Sequence, residues 1–212
     1  MRSLGCLDQM IDCDLSIYFY PLQMVCVDRT ALIRRKYPLG ISNSLLITQP
    51  KVHKRMTFPK IGNLAPAFTL KNQAGLDVAL KNYKGKKNVV LYFYPKASTP
   101  GCTVQACGIR DTRAEFDALD TVVFGVSPDA PSKLQKFIDK YDLNFDLLAD
   151  EDHALAEKYG VWGLKKFMGR EFMGILRTSF IIDKEGRLKH ILDKVNTKTH
   201  DQDVLSILRN GI

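Results

Sequence analysis

The fold of this chain is decided by the stretch Tyr94-Pro95-Lys96-Ala97-Ser98-Thr99-Pro100-Gly101-Cys102-Thr103-Val104-Gln105-Ala106-Cys107. It follows the apolar run 88–93, which is typical of a buried strand, and it precedes a charged segment of helical character. Cys102 is therefore expected at a strand-to-helix turn, in the first helical turn or just before it. Free backbone N–H groups and the positive end of the helix dipole favour an anion there, so the thiol should lose its proton unusually easily. Because a second cysteine, Cys107, follows five residues later, the pattern indicates redox chemistry on sulfur.

Strand and helix patterns alternate along the chain from Met56 onward. Short apolar or alternating runs predict strands at 67–70, 77–80, 88–94, 121–127, 145–148, 178–182 and 187–192. Helical spacing predicts helices at 103–119, 130–141, 153–159 and 201–208. Together they predict an α/β fold with a central mixed β-sheet flanked by helices on both faces, in one domain that covers residues 56–212.

Length, charge and cysteine content limit the class of protein. A chain of 212 residues with 45% hydrophobic and 25% charged residues can bury the core of one soluble domain. The net charge of +8 is shared between residues 1–55 and the rest, without a block of five like charges, so we expect a solvated basic surface and no nucleic-acid partner. Five cysteines, an odd number without the spacing of a disulfide framework, indicate a reducing compartment, and we predict a cytoplasmic protein.

Residues 1–55 differ from the rest of the chain. They hold three of the five cysteines and no glutamate, and they show no sustained helical or strand period. Their most apolar run, 15–27, is too short to span a bilayer, and the aspartates before it fit neither a signal peptide nor a transit peptide. Two interpretations stay open: Met56 is the true initiator, or residues 1–55 are an authentic disordered or targeting extension. In the first case a chain that starts at Met56 is expected to fold by itself.

The pattern Pro95-x-x-x-Thr99-x-x-Cys102 resembles the active-site signature of the peroxiredoxins. The strings at 92–96, 107–111 and 174–183 are similar to those of the bacterioferritin comigratory protein, or Q-type, subgroup, and the likeness extends from about residue 58 to the C-terminus. The resemblance implies a thioredoxin-like fold and an antioxidant peroxidase that reduces hydrogen peroxide and organic hydroperoxides without a cofactor. It also implies recycling by thioredoxin or a similar dithiol donor, and a monomer.

The chemistry of hydroperoxide reduction gives a role to each residue of the signature. The Cys102 thiolate attacks the terminal peroxide oxygen, and donors aimed at the two oxygens stabilise the transition state. The resemblance implies that Thr99 supplies a hydroxyl and Arg177 a guanidinium fork, while Pro95 stiffens the loop and excludes water. The residues alone leave alternatives open: Thr99 is equally suited to cap the following helix, and a lone arginine before a strand is usually a surface residue.

Cys107 is a candidate partner for oxidised Cys102. In a regular helix, five residues place the two Cα atoms roughly 8–9 Å apart, whereas a disulfide needs them within about 7 Å. A disulfide between them therefore requires the first helical turns to unwind, which Gly108 favours because glycine is a poor helix former. The resemblance implies that Cys107 is the resolving cysteine; the alternative is a small buried hydrophobe. The subgroup often has Glu where Gln105 stands here.

Two other functions are compatible with a pair of cysteines. A zinc site would need two further ligands, and the histidines are scattered along the chain, so we predict no metal. A redox-sensing binding protein, switched by a Cys102–Cys107 disulfide, stays open as the alternative to the enzyme. A sensor reacts once, whereas an enzyme cycles with its reductant.

Overall fold

The structure is a computed structural model, and it describes residues 57–167 and 169–212. The proposed extension 1–55 and the candidate initiator Met56 lie outside the described residues. The strands are β1 Thr69–Asn72, β2 Asp77–Ala79, β3 Asn88–Phe93, β4 Thr121–Ser127, β5 Leu147–Ala149, β6 Trp162–Phe167, β7 Arg170–Ile175, β8 Thr178–Ile182 and β9 Leu188–Leu192. The helices are α1 Pro100–Asp111, α2 Arg113–Ala118, α3 Pro131–Tyr141, α4 Ala154–Lys158 and α5 His200–Arg209, with a short 3-10 helix at Leu80–Tyr83.

Seven strands form one mixed sheet in the order β2-β1-β5-β4-β3-β8-β9. The central pairs β3–β4 and β4–β5 are parallel, whereas β8 joins β3 in the antiparallel direction, with Phe93 opposite Thr178. This register brings the start of β8 beside the end of β3, where the cysteine-containing stretch begins. The predicted α/β fold with a mixed sheet is confirmed.

Alternate side chains of the central strand β3 enter two separate cores. Val90 and Tyr92 pack with residues of α1, α2, α3 and α5 on one face of the sheet. Leu91 and Phe93 pack with the 3-10 helix and α4 on the other face. Because both faces are covered, β3 and β4 are continuous apolar runs with nearly every residue buried, as expected for the centre of such a sheet. Helices therefore flank both faces, as predicted.

The prediction of one helix over 103–119 was wrong. α1 begins three residues earlier, at Pro100, and ends at Asp111, and α2 starts at Arg113. Thr112 separates the two helices with a backbone φ of −100° and ψ of 12°, and its hydroxyl donates to the carbonyl of Gly108 at 2.9 Å. Such a side-chain bond to the preceding turn competes with the helical backbone pattern.

The hairpin of β6 and β7 was not predicted. It forms a separate two-stranded sheet in which Leu164 is paired with Met173 and Lys165 with Phe172. Its sequences lack the alternation of apolar and polar residues that marks a half-buried strand, because Lys165 and Lys166 are adjacent and Phe172 and Met173 are adjacent. This hairpin leads directly into the connection that carries Arg177.

Candidate active site

Cys102 is the third residue of α1, in the first turn of the helix. Pro100 occupies the first helical position, where its missing N–H costs nothing, and Thr99 stands in the N-cap position. The Cys102 side chain is 2% exposed, and its thiol is free. Backbone N–H groups at the start of a helix have no intrahelical partner, so the sulfur lies at a place that favours a negative charge.

Arg177 contacts this sulfur directly. Its Nη2 donates to Cys102 Sγ at 3.2 Å, although the two residues are 75 positions apart. The β3–β8 register explains the contact, because Arg177 immediately precedes β8 and Thr178 is opposite Phe93 at the end of β3. A guanidinium at this distance stabilises a thiolate by charge and by a hydrogen bond.

The loop between β3 and α1 is pinned by the buried carboxylate of Asp129. The backbone N–H of Ala97 donates to Asp129 Oδ2 at 2.6 Å, and the Ser127 hydroxyl donates to the same oxygen at 3.1 Å. Lys133 forms an ion pair with the other carboxylate oxygen. Ser98, the next residue of the loop, has a left-handed φ of 60°, which is unusual for serine and which these bonds help to hold.

Pro95 and Thr99 lie at the two ends of this loop. Thr99 does not cap α1 with its side chain; its hydroxyl instead donates to the carbonyl of Lys96 at 3.0 Å. Its backbone carbonyl accepts from the N–H of Thr103 at 2.9 Å. The side-chain cap considered for Thr99 is therefore wrong: the residue occupies the N-cap position, but its hydroxyl bonds the loop ahead of the helix.

A chain of buried hydrogen bonds continues from Arg177 away from the sulfur. Arg177 Nη1 donates to Gln105 Oε1, and Gln105 Nε2 lies 3.1 Å from His200 Nδ1. His200 Nε2 lies 2.7 Å from Ser179 Oγ. These groups come from α1, the β7–β8 connection, α5 and β8, and His200 is the first residue of α5. The guanidinium is therefore held on the side opposite the thiol by groups from two helices and the sheet.

Burial and, to a lesser degree, the positive charge of Arg177 lower the pKa of His200 from 6.5 to about 3. The unfolded chain thus binds a proton at this histidine below about pH 6.5, while the folded chain does not until about pH 3. Stability is lost as the pH falls through this window, by at most about 1.4 kcal/mol per pH unit from this one group.

We expect the asparagine variant His200→Asn to lack this loss. Denaturant unfolding of both proteins between pH 7 and pH 4 measures it, since the stability advantage of the wild type over the variant should shrink towards acid pH. His190, which is exposed on β9, is the matched control, and His190→Asn should leave the pH profile unchanged. A constant difference between wild type and His200→Asn would contradict the neutral, buried state of His200.

Lys165 is a second cation near the site. Its Nζ donates to the carbonyl of Ile175 at 2.9 Å, two residues before Arg177. Burial and the charge of Arg177 lower the pKa of Lys165, whereas the charge of Cys102 raises it, which places the ammonium within electrostatic range of both groups. Burial holds the pKa values of Tyr92 and Tyr94 well above their ordinary value, so these two phenols, which belong to the same buried cluster as Cys102, stay neutral.

Cys107 shares α1 with Cys102 and is buried at 3% exposure. Both cysteines belong to one helix that runs from Pro100 to Asp111, so the helical spacing used above applies. Gly108 follows Cys107 and faces the start of α5: a Cβ there would lie 3.1 Å from Asp201 Oδ1. The glycine thus allows α5 to approach α1 closely, which is a role that the sequence did not reveal.

The structure brings Cys102 and Arg177 into contact, places Pro95 and Thr99 in the loop that leads to Cys102, and leaves Cys107 further along the same helix. Sequence reasoning missed four residues near the thiol, Asp129, Lys165, Ser179 and His200, and it named Gln105 without its bond to Arg177. Only Gln105 carried a signal, because residues three apart on a helix share a face. The others come from segments distant in sequence.

No group of three or more His, Cys, Asp and Glu side chains among residues 57–167 and 169–212 is arranged to hold a metal ion. Within the same part of the chain, no helix is long and apolar enough to cross a membrane.

A buried thiol at a helix N-terminus, bonded to a guanidinium and mounted on a mixed sheet, is typical of thiol-dependent redox enzymes. Comparison with known proteins narrows this class. Residues 61–191 match the AhpC/TSA family. The putative peroxiredoxin bcp of Haemophilus influenzae is 55% identical over 150 residues, which cover 71% of this chain and 96% of that protein. Peroxiredoxin Bcp of Escherichia coli K12 is 49% identical over the same length and the same shares of both chains.

Solved structures agree with the sequence comparison. The structure of the bacterioferritin comigratory protein of Xanthomonas campestris, studied for alkyl peroxide reduction, matches with a TM-score of 0.64 at 31% identity. The match covers 68% of this chain and 90% of the other. The chain belongs to the AhpC/TSA family and, within it, to the peroxiredoxins of the bacterioferritin comigratory, or Q-type, subgroup, with their thioredoxin-like fold. It is accordingly a thiol peroxidase.

Proposed function

We propose that this protein reduces hydrogen peroxide and organic hydroperoxides with Cys102 as the attacking nucleophile. The observation that carries the proposal is the bond from Arg177 Nη2 to Cys102 Sγ at 3.2 Å, at the N-terminus of α1. The thiolate sulfur attacks the terminal oxygen, the O–O bond breaks, and the departing alkoxide or hydroxide takes a proton and leaves as alcohol or water. The sulfur is oxidised to a sulfenic acid and the peroxide is reduced.

Arg177 and Thr99 act on the charge that moves during this step. Negative charge leaves the sulfur and appears on the two peroxide oxygens, so a donor that already touches Sγ lies next to both partners of the reaction. Thr99 would turn its hydroxyl from the carbonyl of Lys96 to the bound peroxide, and Pro95 limits the motion of the loop. Lys165 adds positive charge within electrostatic range of Cys102.

Resolution is assigned to Cys107. In its reduced state, Cys107 condenses with the Cys102 sulfenic acid, a disulfide forms, and water leaves. Because both cysteines lie on one helix, α1 has to unwind locally before the sulfurs can meet. Gly108 lowers the cost of this step, since glycine is about 1 kcal/mol less favourable than alanine within a helix. Thioredoxin or a similar dithiol then reduces the disulfide and restores the two thiols.

The relatives support hydroperoxides as the substrate class, whereas reduction of the disulfide by thioredoxin or a similar dithiol is part of the proposal. The Xanthomonas protein is linked to alkyl peroxide reduction, and the same chemistry at Cys102 would accept an organic hydroperoxide here.

We also propose that the enzyme is a cytoplasmic monomer and that residues 56–212 form the complete catalytic domain. In this view residues 1–55 contribute no group to the reaction.

Turnover is the test of this function. The full chain is mixed with thioredoxin, thioredoxin reductase and NADPH. We expect it to consume many equivalents of hydrogen peroxide and of an organic hydroperoxide such as cumene hydroperoxide. The loss of NADPH absorbance measures this turnover. Oxidation of one equivalent per protein, with no further NADPH consumption, would instead support the redox-sensing alternative. Failure of the thiol to react with either peroxide would contradict both functions.

A further inference from the structure

The donor and the acceptor are fixed in each hydrogen bond that links Arg177, Gln105 and His200. A guanidinium only donates hydrogen bonds, so the Gln105 oxygen must face Arg177 and the Gln105 amide nitrogen must face His200. That nitrogen carries hydrogens only, so His200 Nδ1 has to accept. The ring proton is then on Nε2, which donates to Ser179 Oγ at 2.7 Å. This assignment of the tautomer follows from the network of partners.

His200 is itself anchored on the sheet. Ser179 belongs to β8, where it is paired with Tyr92 of β3, and the rings of Tyr92 and His200 are 5.7 Å apart. The His200 side chain is almost fully enclosed, with the whole residue 1% exposed. A neutral imidazole with fixed donor and acceptor sides is thus held between the sheet and α1.

We propose that His200 is a positioning residue for the peroxide step, which holds Gln105 and, through it, the guanidinium of Arg177 against Cys102. If the Gln105 amide turned over, its NH₂ group would face the donor-only guanidinium and its oxygen would face the lone pair of Nδ1. The first contact would be repulsive, and so would the second unless the ring proton moved to Nδ1, so Arg177 and the His200 acceptor together keep Gln105 in the productive orientation. Nη1 is then occupied by Gln105, and Nη2 stays directed at Sγ.

The inference rests on the proposed function for its kinetic consequence only, because the tautomer can be observed without any peroxide. In the ¹⁵N-labelled full chain, long-range proton–nitrogen spectra distinguish protonated from unprotonated ring nitrogens. The chain has four histidines, and the signal absent from the variant His200→Asn identifies His200. We expect a proton on Nε2 and none on Nδ1.

The variant Gln105→Glu tests the coupling between positions 105 and 200. A carboxylate cannot donate to Nδ1, so the ring must present a hydrogen there, and the Nδ1 signal of His200 should change from unprotonated to protonated. A wild-type ring with its proton on Nδ1, or a Gln105→Glu variant with an unchanged spectrum, would overturn the assignment. Both measurements use the variant His200→Asn only to assign the signal and require no kinetics.

The kinetic test compares His200→Leu with His200→Asn. The leucine variant fills space but accepts no hydrogen bond, whereas the asparagine oxygen can stand near the place of Nδ1 and accept from Gln105. We expect stopped-flow oxidation of Cys102 by hydrogen peroxide to slow roughly tenfold in His200→Leu, since small displacements of a catalytic group are costly, and to stay within about threefold of wild type in His200→Asn. His190→Leu, at an exposed position, is the matched control and should react at the wild-type rate.

A second readout separates positioning from general loosening of the fold. Alkylation of Cys102 by iodoacetamide at a fixed pH, followed on the Cys102 peptide by mass spectrometry in the Cys107→Ser background, reports the reactivity of the sulfur without peroxide. The leucine variant should be alkylated more slowly than the parent protein, and the asparagine variant should recover the rate. A folded His200→Leu protein with wild-type oxidation and alkylation rates would overturn the proposal, and so would an asparagine variant as slow as the leucine variant. If the wild type alkylates as expected but does not react with peroxide, the proposed function fails and the positioning role stands on the alkylation and the tautomer.

Discussion

Replacing Cys102 by serine is expected to abolish hydroperoxide reduction. The hydroxyl of serine stays protonated in this environment and has no sulfur to carry the transferred oxygen, so the first chemical step disappears. The fold should survive, because the change removes little volume from a position in the first turn of α1. NADPH consumption in the coupled thioredoxin assay measures the effect, and thermal unfolding confirms the fold.

Cys107→Ser is the matched control for this variant. It changes a buried cysteine of the same helix, five residues away, but leaves the attacking sulfur in place. The first oxidation should proceed at the wild-type rate, detected as a sulfenic acid with a dimedone probe, while recycling by thioredoxin stops. Near-normal turnover in Cys102→Ser would show that another sulfur attacks the peroxide. Normal cycling in Cys107→Ser would show that resolution comes from elsewhere.

Replacing Arg177 by methionine is expected to slow the peroxide step by a factor on the order of 100. The change removes the donor that lies 3.2 Å from Sγ, together with the positive charge that favours the thiolate, and it leaves Gln105 Oε1 without its partner. Lys165 remains as the nearby cation, but its ammonium bonds the carbonyl of Ile175. Stopped-flow oxidation of Cys102 by hydrogen peroxide at a fixed pH measures the loss of rate.

Two further variants make the Arg177 experiment specific. Arg177→Lys should recover only part of the rate, because a single ammonium cannot bond Sγ and Gln105 with the two arms of a fork. Arg187→Met removes an exposed arginine that bonds the carbonyl of Gly62, far from the sulfur, and should leave the rate unchanged. An unchanged oxidation rate in Arg177→Met would assign Arg177 a purely structural role.

Most of the central sheet could be predicted because its strands carry their signal locally. β3 and β4 are buried on both faces, so each is a continuous apolar run that needs no partner to be recognised. α3 shows regular helical spacing of its buried Leu134, Phe137 and Tyr141. The β6–β7 hairpin was not predicted because its sequence carries no such local signal. Its exposed residues Leu164 and Phe172 interrupt any alternation between a buried and a solvated face.

The helix at 103–119 shows how far local patterns reach. Apolar spacing continues across Thr112, so the sequence alone predicts one helix. At the break, the Thr112 hydroxyl donates to the carbonyl of Gly108, to which the Thr112 N–H also donates, and Phe116 of α2 is buried in the core on this face of the sheet. Helix propensity does not decide where α1 ends, because a threonine inside a helix can form the same bond from its hydroxyl to a preceding carbonyl without ending the helix.

The sequence by itself determined that a thiol follows a buried strand and begins a helix, since strand, turn, proline and cysteine are neighbours along the chain. It also determined the family, because residues at fixed short spacing mark Cys102 and its loop. Only the tertiary structure decided which groups surround the sulfur. Arg177 reaches Cys102 through the antiparallel register of β8 on β3, and His200 reaches Gln105 across 95 residues through the packing of α5 on α1. Strand register and helix packing are set by the burial of many side chains together, so no short segment contains the hydrogen bonds that orient the guanidinium.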